Sequence, residues 1–235
     1  MSIDTTHRSK GIEIMDDLDM SGDLLINSLD QLANINKWLG GNKITIRGIK
    51  TLLKNQAKQN LFRIVDLGCG HGDILRKVAK FGRKNGYKFE LLGIDANQAT
   101  IDYANQLSVD FPEISYRKQD VLSPEFENET YDIALCTLFL HHFEDDIAFD
   151  FMQALTKNAK IGVVINDLHR HKMAYCLFKL VTLTNKNHMI VSDGLMSILK
   201  AFKRKDFERF SEKLNYKSTI TWCWAFRFQW IISKL

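Results

Sequence analysis

Proline is nearly missing from this chain: Pro112 and Pro124 are the only two in 235 residues. No proline-rich linker divides it, and its length fits one domain with a small appendage. No apolar run is long enough to span a bilayer; the most apolar stretch, 173–183, is short and broken by Lys179. The N-terminal region lacks the apolar core of a secretory signal. Cysteine is sparse: Cys69, Cys136, Cys176 and Cys223 follow no zinc-site spacing and read as reduced, mostly buried thiols. These absences set the expectation of a cytoplasmic globular domain with no disulfide framework and no bound metal.

What is present is an ordinary core-forming share of apolar residues, 45%, and a lopsided charge. Residues 61–160 hold 11 basic and 16 acidic side chains, whereas 161–235 hold 13 and 5. A basic C-terminal third either faces an acidic substrate, carrier protein or membrane surface, or is a solvated set of lysines.

Periodicity divides the chain into four stretches. Residues 1–20 show no period and read as loose. Leu25, Leu29, Leu32, Ile35 and Leu39 share one helical face, Gly40-Gly41-Asn42 stops that helix, and a second helix runs from about 46 to 58. Both precede the core and are expected outside the sheet, as a helical cap over 1–60. From 61 to 167 short apolar strands (61–66, 89–95, 114–120, 131–138, 162–167) alternate with helices (74–85, 99–111, 145–157), the pattern of βαβ units and a mostly parallel sheet. A helical insertion, 168–214, reads as a lid. Two β-rich runs, 218–225 and 227–233, close the chain as a hairpin within 215–235.

The densest signal is Ile64-Val65-Asp66-Leu67-Gly68-Cys69-Gly70-His71-Gly72-Asp73. A strand meets an acid, then glycines at every second position, then a helix start. Such a turn lets backbone approach a ligand closely, and the helix behind it offers free N–H groups. The spacing is not the dinucleotide Gly-x-Gly-x-x-Gly. An acid beside the turn suits a ligand with an ammonium group as well as a ribose, such as S-adenosylmethionine. Further polar groups fall at strand ends, where open α/β sheets bind ligands. Asp95, followed by Ala96, is placed to accept from ribose hydroxyls; Asp120 with Val121 to meet an adenine; Thr137 to border the reacting group.

Through Val65–Gly72, Gly93-Ile94-Asp95, Gln119-Asp120-Val121 and Tyr131–Ala134, the chain resembles the class I S-adenosylmethionine-dependent methyltransferases over roughly 60–167. The resemblance implies a Rossmann-like, doubly wound, seven-stranded sheet with an antiparallel last strand. It also implies that Asp66, Gly68, Cys69, Gly70 and Gly72 hold the methionine part, Asp95 the ribose, and Asp120 and Val121 the adenine. Leu138–Phe143 looks like the small-molecule branch, including quinone-pathway enzymes. Asp167–His171 and Asn36–Gly41 look similar to a bacterial subgroup found beside polyketide or pigment pathways.

For the acceptor, no Asp/Asn-Pro-Pro-Tyr/Phe run of amino methyltransferases follows the fourth strand, and neither Cys69 nor Cys136 sits in a loop as a cytosine-C5 nucleophile would. No base-stacking platform is evident, so nucleic acid is not expected as a partner. Alignment of acceptor, methyl and sulfur supplies much of the catalysis, and a hydroxyl acceptor adds a base. His142 or His141 after the fourth strand, and Asp167, His169 and Arg170 after the fifth, are the candidates. A plain helix-capping role for Asp167 is the competing reading. Adjacent His141 and His142 are expected to point to different faces, which suits chelation poorly. Trp38 and the apolar 173–184 helix would wall a small hydrophobic or aromatic substrate, or pack a homodimer. O-methylation is favoured over C-methylation. Two alternatives stay open: methylation of RNA or protein through the basic C-terminal third, and a non-catalytic binding module.

Overall fold

Alternation along the strands builds two cores on one sheet. The computed structural model describes residues 3–234, without the Glu127 side chain. Among these residues lie seven strands: β1 (Leu61–Leu67), β2 (Lys88–Asp95), β3 (Ile114–Lys118), β4 (Tyr131–Thr137), β5 (Ala159–Leu168), β6 (Lys217–Cys223) and β7 (Arg227–Ser233). They are ordered β3-β2-β1-β4-β5-β7-β6. All neighbours are parallel except at β7, which is antiparallel to β5 and β6. The helices are α1 (Asp23–Trp38), α2 (Gly41–Leu53), α3 (Asp73–Asn85), α4 (Gln98–Leu107), α5 (Pro124–Glu127), α6 (Asp145–Asn158), α7 (Lys172–Val181), α8 (His188–Lys200) and α9 (Arg204–Leu214). None of these is long and apolar enough to cross a membrane. The strand order reverses between β1 and β4, which places the ligand crevice at their carboxyl ends.

Successive residues of β1 point to opposite faces. Ile64 joins Leu91, Leu135 and Val164 under α2 and α3, whereas Val65 joins Ala134, Val163 and Trp230 under α6 and α9. Two expectations change here. The helix placed outside the sheet begins at Gly41, directly after the Gly40 break, and packs onto β5 and β7. Its Ile49 and Leu53 are wholly buried, so α2 is a core helix whose apolar stripe needs the sheet. Likewise α9, assigned to the lid, sinks Phe207, Phe210 and Leu214 into the second core. Of the remaining lid helices, α8 packs on α7, on α1 and on the 3-10 turn that follows β4.

Residues 3–20 are not loose. Arg8 donates to Lys200 O (2.6 Å), to His141 O and Phe143 O (2.8 Å each) and to Asp145 (2.7 Å). Asp193 accepts from Ile14 N and Met15 N at 2.9 Å, and Asn97 donates to Leu18 O and Met20 O. Side chains elsewhere in the chain fix this strap. It therefore needs no sequence period, and none was visible.

Trp230 is fully buried against Phe207, with ring centroids 5.5 Å apart. Trp230→Ala should cost roughly 3–5 kcal/mol of stability, read as a lowered urea midpoint at unchanged slope.

Candidate active site

β1 delivers Asp66 to the sheet's carboxyl edge, where it is 1% exposed and its Oδ1 has no partner. The chain then turns through Gly68 (φ 63°), Gly70 (φ 51°) and Gly72 (φ 80°), all left-handed. A Cβ on Gly68 would strike the Phe139 ring and one on Gly72 the Tyr116 ring. A Cβ on Gly70 would fit, lying 3.8 Å from its nearest neighbour, Leu29 Cδ2 of α1, so the turn has open space beside Gly70. Gly70 N donates to Asp95 Oδ2 (3.0 Å) and Asn97 N to Asp95 Oδ1 (3.1 Å). Asp73 accepts from the Asn42 amide at 3.1 Å.

These donors are neutral, and the three carboxylates repel. Burial first, then Asp73 and Asp95, push the Asp66 carboxyl well above its usual range. Burial also raises Asp95, against the N–H groups of Asn97, Gly70 and Ala96. Burial, with Asp95 and Asp66, pushes the Cys69 thiol well up, so it is no nucleophile. The arrangement fits a cationic ligand: a buried carboxylate oxygen has a free acceptor site, and each Asp95 oxygen retains a lone pair beyond its backbone bond.

The other expected positions are dispersed. Ala96 borders Asp95 and is half-exposed. Asp120 is exposed and closes its own turn by accepting from Leu122 N. Val121 packs into the core with Phe126 and Tyr131, so its side chain is fixed by packing. Thr137 Oγ1 meets Thr45 Oγ1 of α2 at 3.1 Å.

Leu138 leaves β4 with φ 55°, a strained position for a branched residue. That turn lays Phe139 over Gly68 and starts a 3-10 turn, Leu140–His142. Asp167 binds both His141 N (2.9 Å) and His141 Nδ1 (2.6 Å), with the Leu168 N–H on its Oδ1. Burial would raise the Asp167 carboxyl, but the His141 imidazole and the Leu168 N–H outweigh it and hold it low. His141 Nε2 is left buried and unpartnered. His142 Nδ1 meets Asp16 Oδ1 at 2.7 Å. The two rings do not diverge: their centroids are 4.5 Å apart and tilted by 32°.

His169 and Arg170 lie elsewhere. Trp222 Nε1 donates to His169 Nδ1, and Phe228 packs edge-on against its ring. Burial and the neighbouring His171 depress His169 to about 4. Arg170 is buried, bonding Thr5 O and Ala201 O and lying 3.7 Å from Asp206. Its guanidinium ties the strap to α8 and α9 and is not offered to a ligand. The expected apolar walls also face outward: Trp38, Met173, Leu180 and Val181 are more than half exposed. Between α1 and the α7–α8 linker lies an open groove of about 640 Å³, lined mainly by polar side chains including Asn27, Gln31, Asn185 and Asn187.

Residues that pattern reading missed include Glu13 and Asp16, which reach His141 and His142 from the strap, and Lys200 of α8, which pairs with both acids. Asp73 was legible only as the residue after Gly72.

Residues 64–162 match a family model described as a methyltransferase domain. The chain is similar to ribosomal RNA large subunit methyltransferase G of Shewanella putrefaciens, 27% identical over 183 residues, which are 74% of this chain and 46% of the relative. The Shewanella baltica protein of that name is 27% identical with the same coverage. The chain thus spans about half the length of these relatives. Among solved structures, the plantazolicin methyltransferase BpumL in complex with SAH superposes with a TM-score of 0.65 at 15% identity, covering 90% of this chain and 89% of that one. The magnesium protoporphyrin IX methyltransferase of Synechocystis PCC 6803 with bound SAH gives 0.56 at 13%, covering 92% and 90%. At these identities the likeness is one of fold.

Because the folded-state value of Asp66 is raised, its ionisation destabilises the ligand-free protein. Stability is lost as pH climbs from the ordinary aspartate value of about 3.9 towards the raised one. Asp66→Asn should therefore melt at a higher temperature than the wild type at neutral pH. Melts at pH 5 and pH 8 should show the wild type losing more stability than the variant.

Proposed function

We propose that the chain carries a class I S-adenosylmethionine-dependent methyltransferase domain and transfers a methyl group to a small hydrophobic or aromatic acceptor, on oxygen in preference to carbon. The observation that carries the cofactor half is the trio Asp66, Asp73 and Asp95 around a left-handed glycine turn, with an unpartnered buried oxygen on Asp66. S-adenosylmethionine, when bound, supplies an electrophilic methyl on a sulfonium, together with an ammonium group that this trio suits. Gly68 and Gly70 let the backbone come close; Asp66 would face the cationic methionine end and Asp95 the ribose hydroxyls. Asp120 remains assigned to the adenine side, with Val121 contributing through its backbone.

On the acceptor side the strap and α8 close over the 3-10 turn that follows β4, which favours a small acceptor over a polymer lying in an open trough. The basic surplus of 161–235 is partly neutralised within the fold. Arg204 pairs with Glu208, Arg209 with Asp145, and Lys200 with Glu13 and Asp16. Arg227 is buried. Asp167 fixes His141, and His142 stands beside it, so these replace His169 and Arg170 as the groups that would meet the acceptor. A soluble small-molecule enzyme of a biosynthetic pathway is the setting we infer.

A second reading, an RNA acceptor, is favoured by the relatives named as ribosomal RNA methyltransferases. The test is transfer of labelled methyl from S-adenosylmethionine into a cell lysate, followed by size separation. Label in the low-molecular-weight organic extract supports the proposal, label in RNA supports the second reading, and none in any fraction points to a binding module. Asp95→Ala should weaken SAH binding about 10- to 100-fold, the value of a charge-assisted hydrogen bond. Calorimetry showing unchanged affinity would remove Asp95 from the ribose site.

A further inference from the structure

We propose that Glu13, His141 and His142 form a site for a divalent transition-metal ion of the zinc class. One potential ligand atom from each lies within 4.8 Å of the others. Glu13 Oε1 is 4.0 Å from His141 Nε2 and 3.9 Å from His142 Nδ1. A point equidistant from three atoms so spaced is about 2.3–2.5 Å from each, and zinc–nitrogen and zinc–oxygen bonds of about 2.0–2.2 Å need a contraction of only a few tenths.

Three further features converge on the same point. His141 Nε2 is buried, its residue 2% exposed, and has no hydrogen-bond partner. The opposite nitrogen of that ring is held by Asp167 at 2.6 Å, the carboxylate–histidine arrangement that fixes the tautomer and turns the Nε2 lone pair outward to a metal. Glu13 is held by Ser197 Oγ on its Oε2 (2.7 Å), which leaves Oε1 facing the histidines.

The charge balance also asks for cations. Glu13, Asp16, Asp167 and Asp193 gather here, with Asp193 held by the Ile14 and Met15 N–H groups, and Lys200 is the ammonium among them, 3.2 Å from Glu13 Oε1 and 3.3 Å from Asp16 Oδ2. One ammonium and the buried Arg227 guanidinium, whose charge acts on Asp167, face four carboxylates. Binding displaces the proton shared by His142 Nδ1 and Asp16 Oδ1, and Asp16 keeps Lys200 as its partner. His142 and Asp16, partly exposed, give the ion a route in.

Two imidazoles and one carboxylate select zinc, cobalt, iron or nickel over magnesium or calcium, and leave a coordination position open for an oxygen ligand. That this oxygen belongs to the acceptor rests on the function proposed above.

The full chain, stripped with a chelator, is titrated with Zn2+ by calorimetry and with Co2+ by visible absorption. The expected result is one ion per chain with the visible bands of a low-coordinate cobalt site. Glu13→Gln and His141→Gln should bind at least tenfold more weakly, and Asp167→Asn about 10- to 100-fold more weakly. A folded wild type that takes up no ion at one equivalent overturns the inference without any variant having to fold; so does Glu13→Gln binding as tightly as wild type. SAH titrated into the metal-free protein reads the methyltransferase proposal separately. SAH binding without metal binding removes only the metal, and metal binding without SAH binding removes only the cofactor assignment.

Discussion

Negative charge that the fold itself does not neutralise is the constraint around which this molecule is arranged. Asp66, Asp73 and Asp95 meet at the ends of β1 and β2, and their hydrogen bonds come from backbone N–H groups and an amide. Burying a carboxylate without a counter-charge is expensive, and its usual escape is to take up a proton. The raised carboxyls of Asp66 and Asp95 are that escape. A domain that needed only stability would place asparagine or an apolar residue at Asp66. Keeping the acid makes sense when a cation arrives to use it, and local instability at a binding site is the usual trade.

The same logic governs the cover. The strap of residues 3–20 has little regular structure, yet it is tied by polar bonds to α8, the β4–α6 connection and the β2–α4 turn. Its apolar side chains contribute little: Ile12, Ile14 and Leu18 are exposed. A segment held mainly by hydrogen bonds and ion pairs, with few buried apolar contacts, belongs to the low-stability end of a fold and opens at modest free energy. Beside it α1 faces the glycine turn: a Cβ on Gly70 would lie 3.8 Å from Leu29 Cδ2.

The core was legible because its signals are local. Alternation and short apolar runs predicted β1 to β5, the two aromatic closing runs predicted β6 and β7 as a hairpin, and the family resemblance implied the antiparallel last strand. The glycine turn was legible for a different reason: three left-handed residues in five are hard to place with anything else. What escaped was set by packing partners. The apolar stripe of α2 looked like that of any surface helix, and only the sheet beneath it makes it a core element. His169 and Arg170 looked like a polar mouth, but Phe228 and Trp222 enclose the first and backbone carbonyls hold the second. Glu13 and Asp16 carried no signal at all, since their role depends on contacts more than 120 residues away in the chain.

Leu138 links the two halves of the site. Its left-handed backbone has a steric cost for a branched side chain, so the surrounding structure must enforce it; Leu138 N donates to Asn166 O, across the edge where β4 and β5 end. The same reversal sets Phe139 against Gly68, which shapes the glycine turn, and sends the chain into the 3-10 turn that hands His141 to Asp167. A relaxed backbone at this position would move Phe139 and His141 together. The glycine turn and the His141–His142 pair are therefore coupled through three consecutive peptide units, and a change that disturbs one should be felt at the other.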